Sequence, residues 1–542
     1  MRVIPTRPAQ PHAPRAGESP GYAVRLLLLV ALLVVGLSFQ GRRGIYESTE
    51  GRYTSVASEM LRGRDWIVPH LSDEHPHYSK PPLTYWLLAG SIRIFGRNET
   101  AVRLPGALAF ILTVLVVARA GRVLTPDRPL LPACIYATFL FPGSASNVVA
   151  TDNLLTLFEV AAMAAFAEHY FGAQPRRLSP AMIGWACFGL AFLTKGYPAL
   201  LPMLALGLFH WLRGRRLPGK RLLDVAGVSS FVLLAASWFV IVIALDPSLL
   251  RYFFGDELLG RVTGEQHRSP EWYKNFTVYG PVLLVGTFPW TLAAGRAVLG
   301  SFRELRRPRN PHLRQVPDRR DGDRLLFLGL WLTAPVVVFL LVKSRMPLYL
   351  LPQFAPLALL TAWWLCRTAR PLRSVVITAC LGAVAVLTFR LLAAELVSNH
   401  DSRSVARQIA ALPGDVPREL VFVDVQPYRG VAFYFNAEVE EVAWSRAATG
   451  SPGSETSDIE TIDDELEERE DGRLWLVPVA SAARFRQRVG QRAPGRLTLL
   501  GEVDSNRPEL AFVLAPPAVA SVSEAPSSAR TGVTGKSPHH PP

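Results

Sequence analysis

The sequence predicts a polytopic α-helical membrane fold, with a small soluble α/β domain near its C-terminus. Three observations predict it. Apolar runs of about 18–25 residues recur from Leu26 to Leu392, each long enough to cross a bilayer. The loops between them alternate in charge: one set is dense in Arg and Lys, the other in carboxylates and aromatics. After residue 398 the long apolar runs give way to short strand-like and helix-like runs.

Residues 1–20 are basic and Pro-rich and read as a disordered cytoplasmic tail. The run 22–39 has no small-residue cleavage site after it and reads as an uncleaved helix leaving the cytoplasm. The first outer loop is 40–100; its apolar segment 83–95 is too short to span. Further crossings fall near 101–119, 129–147, the run after Asp152, 180–193, the run before Arg213, 222–245, the run after 273, the runs either side of 343–345, and 372–393. This makes about eleven, of about 11–13 transmembrane helices expected in all. Arg119–Arg128, Arg176-Arg177, RGRRLPGKR (213–221), the loop 301–324 and Arg367–Arg373 then share the cytoplasmic side. The domains are a membrane part, 21–397, a soluble part, 398–515, and a Pro/Ser-rich tail, 516–542. In the soluble part, 420–425, 431–435, 473–479, 496–500 and 510–515 read as strands, and 402–412 and 480–489 as helices.

The chain has 542 residues, is 49% hydrophobic and carries a net charge of +14. The basic residues lie in short membrane loops, so the charge does not point to nucleic acid. Cys134, Cys187, Cys366 and Cys380 all sit in apolar segments, which argues against a disulfide framework or a zinc cluster.

The stretch 45–86, IYESTEGRYTSVASEMLRGRDWIVPHLSDEHPHYSKPPLTYW, is unusually rich in carboxylates, Arg, His and aromatics. Ser48 or Thr49 caps a helix beginning near Glu50. Tyr53, Val56, Ala57, Met60 and Leu61 share one face, which places this helix on the membrane surface. Pro81-Pro82 open the segment 83–95, and Lys80 precedes them at a helix N-terminus, a favourable anion site.

The same stretch resembles the first periplasmic loop of the lipid A aminoarabinose transferases, a group of GT-C glycosyltransferases related to the protein O-mannosyltransferases. The resemblance covers most of 22–365. It implies sugar transfer from a polyprenyl-phosphate carrier to a lipid, glycan or protein acceptor outside the cytoplasm. Such a protein sits in the inner membrane, with its active site and soluble domain extracytoplasmic.

The resemblance also assigns residues. Glu50 matches the second member of an acidic pair whose first member, the expected catalytic Asp, is replaced here by Thr49. Either Glu47 or Glu50 then acts as the base, or the acceptor is already anionic and needs little base help. Asp152, in ATDNLLTLF, matches a second acidic position; the alternative is a helix N-cap. Lys80, Arg52 and Tyr53 match carrier-phosphate positions, as do Arg345 and Tyr349 in SRMPLYLLP and His267 in the loop 246–273. Tyr78, Lys195 and Glu257 are further candidates; Arg345 and Lys195 also read as interfacial snorkelling cations. No cofactor is implied with certainty. A divalent metal stays open, because Ser79 stands where relatives place an acidic residue before the Lys.

No phosphate-binding Gly-rich loop follows a strand and every cytoplasmic loop is short, so nothing points to a cytosolic nucleotide-sugar domain. The rival class is a transporter or flippase, which would place polar groups near the middle of its spans.

Overall fold

The structure is a computed structural model that describes residues 21–47, 49–72, 75–172, 179–214, 217, 220–259, 274–306, 316–342, 346–368, 371–396, 401–445, 460–468, 472–504 and 508–514. Six helices among these are long and apolar enough to cross a membrane: Glu99–Leu124, Thr151–Phe171, Val225–Leu245, Arg320–Leu341, Pro347–Arg367 and Leu372–Glu395. Tyr22–Leu37 and Pro180–Lys195 are apolar but shorter, as is Leu83–Phe95.

Two expected crossings are broken rather than straight. Lys274–Gly286 and Thr291–Arg306 meet at 110°. The run 129–147 divides into Leu131–Thr138 and Leu140–Ala145 at an extended Phe139. The breaks support each other: the Leu140 N–H donates to the Phe288 carbonyl at 3.1 Å, and Trp290 Nε1 donates to Thr138 Oγ1 at 2.9 Å. The Leu140 N–H and the Phe288 carbonyl, freed by the two breaks, thus partner each other inside the protein, as burial at membrane depth requires. Gly286 permits the bend, since a Cβ there would lie 2.6 Å from Phe141 and 2.9 Å from Phe354.

Ion pairs sort into the two ends that the charge pattern demands. At one end Arg119 pairs with Glu168 at 2.7 Å, Arg213 with Asp323 at 2.7 Å, and Arg367 with Asp321 at 2.8 Å. At the other lie Asp152, Lys195 and Tyr349.

The first-loop helix, Thr49–Arg62, is not a one-sided surface helix. Tyr53, Val56, Ala57 and Met60 pack with Tyr85, Leu88 and Ile92 of Leu83–Phe95, but Phe433 of the soluble domain joins the same core. Glu59 on the opposite face is also buried and pairs with Arg62 at 2.8 Å. The helix is therefore clamped between the membrane part and the soluble domain.

That domain is a six-stranded sheet in the order Glu460–Thr461, Glu438–Ala443, Glu419–Val423, Arg473–Pro478, Pro508–Leu514, Leu497–Asp504. The first four strands are parallel, and Pro508–Leu514 runs antiparallel to both of its neighbours, Arg473–Pro478 and Leu497–Asp504. The run 431–435, expected as a strand, is instead part of the helix Arg429–Phe435. Its VAFYF composition favours a strand locally, but Val431 is fully buried in the domain core and Phe433 against the first loop; tertiary packing overrides the local preference. The strand Glu438–Ala443 escaped the sequence because Glu438, Glu440 and Glu441 leave only Val439 and Val442 fully inward, three residues apart, which breaks the two-residue alternation.

Candidate active site

Asp152 lies in the first turn of Thr151–Phe171, yet the helix is capped at Ala150 without any side-chain bond. The capping alternative is therefore not what the side chain does. Its Oδ1 sits 2.5 Å from the Lys195 ammonium, at the end of Pro180–Lys195, with both side chains buried. The ammonium also lies over the Tyr349 ring, 4.6 Å from its centroid, an added attraction once desolvated. Lys195 is thus no snorkelling cation. Tyr53 is buried within electrostatic reach of Lys195, Asp152 and Arg52, and its ring stands 5.7 Å from that of Tyr85. Three membrane segments and the first loop converge here.

Beside Tyr53 lies a cationic group centred on His77. The imidazole is fully buried, and its Nε2 is 2.8 Å from the Ser79 hydroxyl. Burial, and then Arg52, Lys80 and Arg429, hold its pKa well below the usual value, so the ring is neutral. Three cations around a neutral ring make a favourable place for an anion. Lys80 Nζ donates to the Ser79 carbonyl at 2.8 Å. Arg429 belongs to the soluble domain and was not legible as a site residue; nothing in its local sequence marks it. Tyr78 is half-buried and packs beside Leu83 and Trp86.

The acidic candidates of the first loop occupy two different environments. One Glu50 oxygen accepts from Arg43 at 2.8 Å and from the Val149 N–H at 2.9 Å. The other accepts from Arg103 and from the Tyr46 N–H, both at 2.9 Å. Burial alone would raise this carboxyl, but Arg103 and Arg43 outweigh it and hold it down at about 2. A carboxylate so fully engaged suits a tie between loop and membrane helices better than a proton acceptor. Arg103, which also reaches the carbonyls of Gln40, Arg43 and Gly44, was missed because a lone Arg in an apolar run gives no pattern.

Glu47 points into the soluble domain. It accepts from the Ser402 hydroxyl at 2.9 Å and from the Gly430 N–H. Burial pushes its carboxyl up to about 7, against the lowering effect of those two bonds and of Arg429. The side chain of Glu257, and all of His267 and Arg345, lie outside the described residues.

For a divalent metal, the described residues offer one group of three ligands, Glu419, Glu440 and Glu465, in the soluble domain. Arg473 already pairs there with Glu419 at 2.5 Å and Glu465 at 3.1 Å. At the first loop, Ser79 is hydrogen-bonded to His77 and no such group forms among the described residues.

The fold is that of the GT-C membrane glycosyltransferases. Residues 79–239 match the family model described as dolichyl-phosphate-mannose-protein mannosyltransferase. More particularly, the chain resembles the undecaprenyl phosphate-alpha-4-amino-4-deoxy-L-arabinose arabinosyl transferases. It is 32% identical to that of Pectobacterium carotovorum over 355 residues, 64% of this chain and 60% of the relative. It is also 32% identical to that of Pseudomonas aeruginosa over 349 residues, 62% and 58%. The match thus spans about three fifths of the length of these curated relatives. Among solved structures, ArnT from Cupriavidus metallidurans bound to undecaprenyl phosphate superposes with a TM-score of 0.69, at 19% identity, covering 91% of this chain and 98% of that one.

Proposed function

We propose that this protein is an integral-membrane glycosyltransferase that moves a sugar from a polyprenyl-phosphate carrier onto an acceptor at the outer face of the membrane. The observation that carries the reading is the Asp152–Lys195–Tyr349 group beside the cations Arg52, Lys80 and Arg429, all at one end of the apolar helices. The two groups suit the two halves of the reaction. Cations stabilise the carrier phosphate as it leaves, where charge builds in the transition state. A carboxylate held by an ammonium orients or deprotonates the attacking group.

The resemblance to arabinosyl transferases named for undecaprenyl phosphate supports an undecaprenyl carrier and a pentose of the arabinose type. Within this reading Asp152 is the base candidate, and Glu50 and Glu47 hold the loop in place. The acceptor is a lipid, glycan or glycoprotein of the envelope, and the location is the inner membrane with the site facing outward.

Deletion in the native host tests the proposal, with mass spectrometry of lipids, envelope glycans and glycoproteins. Loss of one pentose-sized increment from one class is expected. Loss of the increment with the lipid-linked sugar accumulating on the cytoplasmic side would favour a flippase instead, and unchanged envelope profiles would overturn the reading.

A further inference from the structure

The soluble domain reaches the membrane site through one short segment. Glu419–Val423 lies in the sheet between Glu438–Ala443 and Arg473–Pro478, and the chain passes first to one neighbour and later to the other. Open α/β sheets meet their ligands beyond the carboxyl end of a strand at such a reversal. Here residues 424–428 lead from that end to Arg429, which is half-buried and within electrostatic reach of both His77 and Glu47. Arg429–Phe435 packs along Thr49–Arg62, the helix that carries Arg52.

The residue after Arg429 is tied to the first loop. The Gly430 N–H donates to Glu47 Oε1, and the Ser402 hydroxyl donates to the same oxygen at 2.9 Å. A Cβ at Gly430 would lie 2.6 Å from that oxygen, and a Cβ at Gly51 would also run into the Glu47 carboxyl. Two glycines, one in the first loop and one in the soluble domain, thus leave room for one carboxyl. The tie needs no charge, because a carboxyl oxygen accepts from the N–H whether or not the group holds a proton. Further contacts brace it: the Tyr434 hydroxyl donates to Glu99 at 2.9 Å, Arg403 pairs with Glu99 at 2.7 Å, and Arg97 donates to Asn436 at 2.6 Å. A cation on backbone held in this way loses less freedom on binding an anion than one on a loose loop.

We propose that the soluble domain supplies part of the carrier site, with Arg429 as its phosphate-binding residue and Glu47 as the positioning residue that holds Arg429 there. This rests on the glycosyltransferase reading above. Glu47 touches neither donor nor acceptor; it acts through Gly430 on the guanidinium next to it.

The test uses purified full-length protein in lipid nanodiscs, with undecaprenyl phosphate as probe and undecaprenol, which lacks the phosphate, as control. Wild type should bind the phosphate form more tightly. Arg429→Met should weaken that binding by about tenfold and leave undecaprenol unchanged, and Arg429→Lys should lose less. Glu47→Ala should weaken it severalfold in the wild-type background and no further in Arg429→Met, because its effect runs through Arg429. Glu47→Gln, which keeps an acceptor oxygen, should recover most of that loss. Gly430→Ala, which displaces the same carboxyl, repeats the cycle if Glu47→Ala does not fold. Wild-type affinity in Arg429→Met would overturn the proposal and leave the glycosyltransferase reading standing on Lys80 and Arg52. Equal losses from Glu47→Ala with and without Arg429 would overturn the positioning role. No preference of wild type for the phosphate form would overturn the reading of the function, and this proposal with it.

Discussion

Lys195 and Asp152, 43 residues apart, meet at 2.5 Å where two helices end and begin. Each neutralises the other where water is scarce, so neither tolerates the loss of its partner. Breaking a buried pair by removing one side costs about 3–5 kcal/mol. Asp152→Asn alone should therefore lower both thermal stability and transfer. Asp152→Asn combined with Lys195→Met should recover much of the stability, because no charge is left unpaired, yet remain about a hundredfold or more slower in transfer. Thermal unfolding and single-turnover transfer of the three variants check this. A double variant that regains activity would reduce the pair to scaffolding.

Glu50 should behave as a structural residue. Glu50→Gln leaves Arg43 and Arg103 buried without their carboxylate, a loss of about 3–5 kcal/mol. Acid should act in the same direction. The carboxyl is held at about 2, below its ordinary 4.5. Its contribution is present above about pH 4.5 and is lost as pH falls from there toward 2. The gap between the thermal melts of wild type and Glu50→Gln should be constant above about pH 4.5 and narrow as pH falls from there toward 2.

Glu47 should show the opposite sign. Its folded pKa, about 7, lies above the ordinary 4.5. The folded form then keeps a proton that the unfolded chain loses, so stability falls as pH rises from about 4.5 to about 7. Glu47→Gln should flatten that slope. Limited proteolysis between the membrane part and the soluble domain, at pH 5 and pH 8, reads it locally. A Gln variant with the wild-type slope would show that another group sets it.

The membrane fold, the soluble domain and the loop that organises them were legible because each rests on local pattern: long apolar runs, alternating loop charge, and capping and proline signals. Asp152 and Lys195 stood out as candidates because they are charges at the ends of apolar runs, Lys80 because it precedes Pro81-Pro82 at a helix start, and Arg52 and Tyr53 only through the resemblance of the first loop. What was not legible depends on chain segments far apart. Glu159 reads as one polar residue in an apolar run until the fold lines one pocket with it, Asp152, Lys195 and Gln353. Arg429 reads as a surface cation until Glu47 and Gly430 meet. The helix at 429–435 is set by packing that no window of local sequence contains.

The most direct test of the central claim is the fate of the carrier. Purified wild type, with undecaprenyl-phosphate pentose and an envelope lipid extract, should release undecaprenyl phosphate in step with appearance of pentosylated acceptor. Lys80→Met should slow that release by about ten- to a hundredfold, the worth of one lost charge-assisted contact of about 1.5–3 kcal/mol. Donor recovered chemically intact from wild type, or Lys80→Met releasing carrier at the wild-type rate, would contradict the account.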